Sequence, residues 1–262
     1  MINRYKQHYL CEPVYDMTGS LKAVELLTGF TGPDGRMVSW GEVTDILTPE
    51  YKWLNFVRQL GCIRQYQEWF IRHGVAVSLN LDEETAHWLV RDDDILALLS
   101  TIACIRLEIN EFFTSSDREK QGMLGRLRQH AALWLDDVGS GSHNNFDLLV
   151  RGYFSGAKID KFFFWQHHVT NTAQLEKVIR DLTRFAGHVV VEGIENSQHL
   201  LALTRTPNCW LQGYIFQRTA MEFLQYIPLM TKSVGPKRPL LSFVESGEHS
   251  KFPVPHQYQS DR

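Results

Sequence analysis

The chain has 262 residues, 44% of them hydrophobic and 12% aromatic, which supplies a full-sized core and excludes a disordered or fibrous chain. Lys and Arg number 27 against 30 Asp and Glu, a formal net charge of −3, so no basic field draws it to DNA, RNA or an anionic membrane. Length permits one large α/β or β domain or two ordinary ones.

The N-terminus, MINRYKQHYLCEPVYD, lacks the apolar stretch of a signal peptide. The longest uncharged apolar run, Ile95 to Ile105, is far short of the roughly 20 residues that span a bilayer. Tyr9 to Phe30 reads as a hairpin-like opening, two extended stretches around the turn signal Met17-Thr18-Gly19-Ser20. Ser39 and Glu42 have capping-box spacing and announce a helix. From Glu50 to His73, Trp53, Phe56, Val57, Leu60, Ile63 and Phe70 recur at helical steps, and Gly74 stands where a left-handed terminator belongs.

Short apolar runs then alternate with amphipathic stretches: residues 75–81, 105–110, 133–138, 157–160, 188–194 and 209–216. The clearest helix between them, Thr172 to Ala186, carries Leu175, Val178, Ile179, Leu182 and Phe185 on one face. Alternation of this kind predicts a parallel sheet covered by helices. With the hairpin counted, about eight strands are available, which suits a TIM-like (β/α)8 barrel better than an open Rossmann sheet with its missing glycine fingerprint. The barrel is expected over residues 1–231, and the proline-rich stretch 232–262 is expected to be a flexible tail. Cys11, Cys62, Cys104 and Cys209 are scattered without a C-x-x-C pair and read as reduced, buried thiols of a cytoplasmic protein. Phe162-Phe163-Phe164-Trp165 reads as packing, or as a dimer surface where exposed. His167 and His168 read as surface histidines.

The informative residues are polar and sit at the ends of these runs: Asn80, Glu108, Asp136, Asp137, Lys158, Glu192 and Gln212. In a parallel barrel the C-terminal strand ends converge on one rim, where active sites form. Taken singly, each is as readily a cap or turn former as a ligand. Taken together they would gather carboxylates on one rim, which demands compensating cations. Oxygen ligands of this kind suit Mg²⁺ or Mn²⁺.

The ordered strings Glu25-Leu26-Leu27, VSLNL with Asn80, Glu108-Ile109-Asn110-Glu111, Asp136-Asp137-Val138-Gly139-Ser140-Gly141, Lys158-Ile159-Asp160, Val191-Glu192-Gly193-Ile194-Glu195 and Gln212-Gly213-Tyr214-Ile215-Phe216 resemble the EAL-domain family of bacterial cyclic di-GMP phosphodiesterases. The resemblance runs from about Tyr9 to Met230 and implies hydrolysis of cyclic di-GMP to linear pGpG at two Mg²⁺ or Mn²⁺ ions. Glu25, Asn80, Glu108, Asp136, Asp137, Glu192 and Gln212 would hold the metals, and Glu25, Lys158 and Glu192 would be catalytic, with Lys158 as general base or orienting charge. Glu111, Glu195 and Asp160 would anchor the loop after Asp137, and the family pattern implies a homodimer. Leu27 and Gly29 fall in the substrate-binding motif E-x-L-x-R.

At Gly29 the family's phosphate-gripping Arg is missing, a charge-assisted contact of about 1.5–3 kcal/mol. Two readings follow: a phosphodiesterase with weakened grip, or an EAL-like regulator acting by binding cyclic di-GMP or a partner protein. A generic barrel enzyme for another phosphate ester is a third, smaller possibility. If the missing Arg is the whole of the defect, Gly29→Arg raises apparent affinity for cyclic di-GMP, a shift that a binding titration reads directly.

Overall fold

The computed structural model describes residues 4–43, 46–110, 117–140, 146–204, 206 and 209–229. The opening hairpin forms as its turn signal requires: β1 (Lys6–Asp16) and β2 (Leu21–Thr31) run antiparallel, with Glu12 opposite Glu25 and His8 opposite Gly29. Asp16 closes the turn by accepting from the backbone N–H groups of Thr18 (2.8 Å) and Ser20 (3.0 Å).

Six strands follow in parallel with β2: β4 (Ala76–Leu81), β5 (Ile105–Asn110), β6 (Ala132–Val138), β7 (Gly156–Ile159), β8 (His188–Val191) and β9 (Cys209–Gln212). β9 then pairs antiparallel with β1, which closes an eight-stranded barrel in which β1 alone is reversed. Two short strands, β3 (Met37–Ser39) and β10 (Thr219–Ala220), extend β2 and β1 beyond the barrel wall. The runs 188–194 and 209–216 are strands only to Val191 and Gln212. Their remaining residues form the loops of the rim.

Helices cover the barrel: α1 (Trp40–Val43), α2 (Pro49–His73), α3 (Glu83–Leu89), α4 (Asp93–Ser100), α5 (Asp117–Leu127), α6 (Phe146–Val150), α7 (Lys161–Thr170), α8 (Thr172–Thr183) and α9 (Ser197–Ala202). The longest, α2, starts on Thr48, whose hydroxyl accepts from Tyr51 N, with Pro49 at its first position, and it stops at Gly74 in the left-handed region (φ 64). Phe56, Leu60, Ile63 and Phe70 form its buried stripe. A polar seam, invisible to hydrophobic periodicity, joins α2 to the hairpin. Gln7 donates to Asn55 Oδ1 (2.6 Å), Asn55 to Thr28 Oγ1 (3.2 Å), and Gln59 to the Leu26 carbonyl (3.2 Å). α8 ends at Thr183, three residues before its expected end, so Phe185 leaves the apolar face, is 40% exposed, and packs edge-on against Phe146.

Period-two alternation sends every second strand residue into the barrel. Val14, Ala23, Trp134 and Val190, with Ala76 and Trp210, form an apolar floor. The next inward residues, Glu12, Glu25, Ser78, Asp136 and Gln212, form a polar layer above it. All four cysteines are free thiols; Cys11, Cys104 and Cys209 are buried as expected, whereas Cys62 is half-buried. No helix among the described residues is long and apolar enough to cross a membrane. The boundary expected at residue 231, the tail 232–262, and residues 141–145 of the loop after Asp137 lie outside the described residues.

One tight approach fixes the rim. Gly213 (φ 153) packs so closely on the loop after β8 that a Cβ there would lie 2.3 Å from Ile194 N, and Ile194 N donates to the Gln212 carbonyl at 3.0 Å. Gly213→Ala is therefore expected to destabilise by about 1–3 kcal/mol through overpacking. Gly61, exposed within α2 with nothing near its missing Cβ, sets the opposite sign: Gly61→Ala should stabilise by about 0.4–1 kcal/mol. Thermal denaturation of the two variants checks both directions.

Candidate active site

The polar layer closes around one ammonium. Lys158, projecting inward from β7 and 1% exposed, lies 2.7 Å from Glu192, 2.9 Å from Glu108, 3.0 Å from Glu25 and 3.4 Å from Asp136. Glu25 is fixed from two further sides, with Asn80 Nδ2 donating to Oε1 and Gln212 Nε2 to Oε2, each at 2.5 Å. Six strands thus contribute to one cage at the rim.

Consecutive strand residues point to opposite faces, so Asp136 and Asp137 could not both serve the cage from a regular strand. The backbone solves this with an irregularity: the β6–β7 register shifts between Leu135 and Val138, and Asp137 takes φ 59. Asp137 is the one non-glycine residue with positive φ among the described residues. Bulges of this type re-aim a side chain beside a site, and Asp tolerates the left-handed region better than most residues. As a result, ligand oxygens of Asp136, Asp137 and Glu192 lie within 4.8 Å of one another.

Electrostatics divide the acids. Burial alone would lower the Lys158 pKa, but Asp136, Glu108, Glu192 and Glu25 override it and hold the ammonium well above the usual lysine range. Burial would raise Glu25, yet Lys158, Gln212 and Asn80 hold it below its ordinary value. Burial, reinforced by Glu25, pushes Glu108 well above its usual range, and burial raises Asp136 as well. Glu192 is pushed up to about 8 by burial, reinforced by Asp136 and Glu25. Four carboxylates around one ammonium exceed its charge, and protons or metal cations supply the balance.

The donor set fits hard divalent ions. Glu108 Oε1 and Gln212 Oε1 are buried without a hydrogen bond, and Asp136 Oδ1 has only the 3.4 Å ion pair with Lys158. Unpartnered oxygens beside a three-carboxylate cluster suit Mg²⁺ or Mn²⁺ and not a thiolate- or imidazole-seeking metal. The seven expected metal ligands and Lys158 are all brought together. Asp160 stands apart, as the cap of α7: its Oδ1 accepts from Phe162 N and Phe163 N at 3.0 Å, and its own N donates to the Val138 carbonyl, tying α7 to the end of β6. Glu195 is exposed and donates its backbone N–H to His199 Nδ1 at 3.3 Å. Glu111 lies outside the described residues.

The family model for the EAL domain matches residues 6–219. The chain belongs to the EAL-domain family. Among its relatives, the cyclic di-GMP phosphodiesterase PdeH of Escherichia coli (strain K12) is 27% identical over 217 residues, 81% of this chain and 83% of that protein. The anti-FlhC(2)FlhD(4) factor YdiV of Salmonella arizonae is 23% identical over 188 residues, 70% of this chain and 79% of that protein. Among solved structures, the EAL-like domain protein YdiV superposes with a TM-score of 0.76 at 25% identity, covering 86% of this chain and 97% of that one.

In this EAL domain the motif E-x-L-x-R runs along the inward face of β2 as Glu25, Leu27 and Gly29, with Glu12, Leu10 and His8 of β1 directly opposite. His8 fills the position of the missing side chain. Its Nε2 is buried without a hydrogen-bond partner and lies 2.5 Å from where a Gly29 Cβ would stand. Burial lowers the His8 pKa, so the ring is held neutral. Glu12, 5% exposed, receives Arg218 instead, from Nε at 2.7 Å and Nη2 at 2.5 Å. Sequence reasoning missed His8, Glu12 and Arg218. A carboxylate inside the apolar run YLCEPVYD was the available signal for Glu12, but only the strand register reveals His8 over Gly29.

The geometry adds a condition to the expectation for Gly29→Arg. A side chain at residue 29 meets the tip of the His8 ring, which must turn aside, so the single substitution should lower the melting temperature by a few degrees at most, equivalent to about 1 kcal/mol. His8→Gly added to Gly29→Arg should recover most of that loss, as calorimetry of the two variants would record.

Proposed function

We propose that the protein is a cytoplasmic, divalent-metal-dependent phosphodiesterase that hydrolyses cyclic di-GMP to linear pGpG, with a substrate grip unlike the family pattern. The observation that carries this reading is the cage: seven candidate oxygen donors, six on five strands and Glu192 just past β8, gather around Lys158 with acceptors left unpartnered. Clustered carboxylates of this kind are costly to bury, and a catalytic metal site gives them a use. The similarity to PdeH, named a cyclic di-GMP phosphodiesterase, supports the substrate.

Two Mg²⁺ or Mn²⁺ ions held by Glu25, Asn80, Glu108, Asp136, Asp137, Glu192 and Gln212 would activate water and neutralise charge building on the phosphate. The chain's own residues do the rest. Asn80 and Gln212 lock the Glu25 rotamer by holding both of its oxygens. Lys158, within 3.4 Å of four carboxylates, would place its positive charge beside the attacking water and orient it. Glu192, 2.7 Å from Lys158, would hold a metal on one side and steady the ammonium on the other. The apolar floor beneath the cage keeps water from approaching from below. On α7, Phe162 and Val169 are 63% and 75% exposed, which supports homodimerisation through this helix.

A second reading has its own support. Closure of the arginine position by His8, together with the similarity to YdiV, named an anti-FlhC(2)FlhD(4) factor, favours a regulator that docks on a protein partner. Activity separates the two. Purified protein with Mg²⁺ or Mn²⁺ is expected to release pGpG from cyclic di-GMP, and Glu25→Ala to abolish release by removing one ligand and the anchor of Lys158. Wild type and Glu25→Ala equally inert across both metals, each still binding a flagellar regulator, would sink the enzyme reading.

A further inference from the structure

Glu192 is the one member of the cage that lies past the end of its strand. β8 stops at Val191, and Glu192 N makes the last bond to β7, donating to the Ile159 carbonyl at 3.1 Å, before the chain turns. A carboxylate on a turn takes its direction from the peptide planes around it. Yet this one makes the shortest of the four contacts with Lys158, 2.7 Å, and shares a 4.8 Å cluster of ligand oxygens with Asp136 and Asp137.

The turn is held at the peptide between Gly193 and Ile194. Its carbonyl accepts the indole N–H of Trp165 at 2.8 Å, and its N–H donates to the main-chain carbonyl of Gln212 at 3.0 Å. Gly193 takes φ 74, and a Cβ there would lie 2.6 Å from Lys161 Cβ and 2.8 Å from Trp165 Nε1, so the indole occupies the space any other side chain would need. His199, buried in α9, reaches the same turn: its Nδ1 lies 3.0 Å from the Gly193 carbonyl and 3.3 Å from Glu195 N, and serves one or the other according to its tautomer. Trp165 is the donor that the Gly193 carbonyl keeps in either case. Asp160, two residues after Lys158, caps α7 through Phe162 N and Phe163 N, and Trp165 stands on that helix. Chain and hydrogen bonds therefore close a ring, from Lys158 through Asp160 and α7 to Trp165, across to Gly193, and back through Glu192 to the ammonium. Directed bonds of this kind hold a carboxylate in one place, which is what several ligands need to meet one ion.

We infer that Trp165 is a positioning residue of the metal site: its indole N–H fixes the turn that presents Glu192, so that this carboxylate meets the ions already aligned with Asp136 and Asp137. This rests on the divalent-metal reading above and gives the indole a task in metal binding without making it a ligand. Trp165→Phe keeps an aromatic ring and removes the donor. Benzothienylalanine in place of Trp165 keeps the shape of the indole with sulfur where the N–H stood, and so removes the donor with less change of packing.

The test is calorimetric titration of the full chain with Mn²⁺, beside melting temperatures taken without metal. Both changes should weaken Mn²⁺ binding by about tenfold, while the metal-free melting temperature falls by no more than about 4 °C. Added to Glu192→Gln, either change should alter Mn²⁺ affinity by less than about twofold, because the carboxylate it positions is gone. If wild type binds Mn²⁺ and the benzothienylalanine chain binds it within about twofold, or if the whole loss persists beside Glu192→Gln, Trp165 only packs, and the inference is overturned while the metal reading stands. If wild type binds no Mn²⁺, the inference and the metal reading fall together.

Discussion

The buried ammonium of Lys158 is the constraint on which the rest of the molecule depends. Placing Glu25, Glu108, Asp136 and Glu192 in one barrel layer is prohibitive without a cation between them, and Lys158 stands within 3.4 Å of all four. The converse is as binding: a lysine 1% exposed cannot remain charged without those carboxylates. Loss of one partner of a buried pair typically costs about 3–5 kcal/mol, so the cage persists as a unit or not at all. This mutual dependence explains why every acidic position is present although the substrate motif departs from its family.

Strand geometry alone would not build the cage. Alternation delivers one inward residue per two, and the extra carboxylate is obtained by bending the backbone at Asp137. Gly213 lets the loops after β8 and β9 touch, with Ile194 N donating to the Gln212 carbonyl at 3.0 Å. Asp160 ties the start of α7 to the end of β6. The one non-glycine residue with positive φ among the described residues, Asp137, thus sits at the rim where the carboxylates gather.

Much of this was legible in the sequence. The apolar runs located the barrel strands, because buried parallel strands read as continuous hydrophobic segments, and the polar residues ending those runs located the cage. What escaped falls into two physical classes. Strand and helix ends drifted where a loop keeps an apolar pattern, as after Val191 and Thr183. Contacts fixed by register were invisible: the Gln7–Asn55–Thr28–Gln59 seam, His8 over Gly29, and Glu12 under Arg218. Single-strand patterns say which face a residue takes but not which residue stands opposite.

That distinction separates the two halves of the site. The cage is written on the parallel strands β2 and β4 to β9, whose carboxylates are locked to one another through Lys158. Beside the departed motif runs β1, the one reversed strand, where His8, Leu10 and Glu12 face Gly29, Leu27 and Glu25 in turn. Changes at His8 and Leu10 therefore alter what lies above the cage without adding or removing a charge inside it, whereas Glu12, level with Glu25, belongs to its charge balance. His8 closes one approach, and Glu12 directs a guanidinium from another. A barrel arranged this way can keep its carboxylate cage around Lys158 intact while the contacts above it are rebuilt on a strand that makes no ion pair with that lysine.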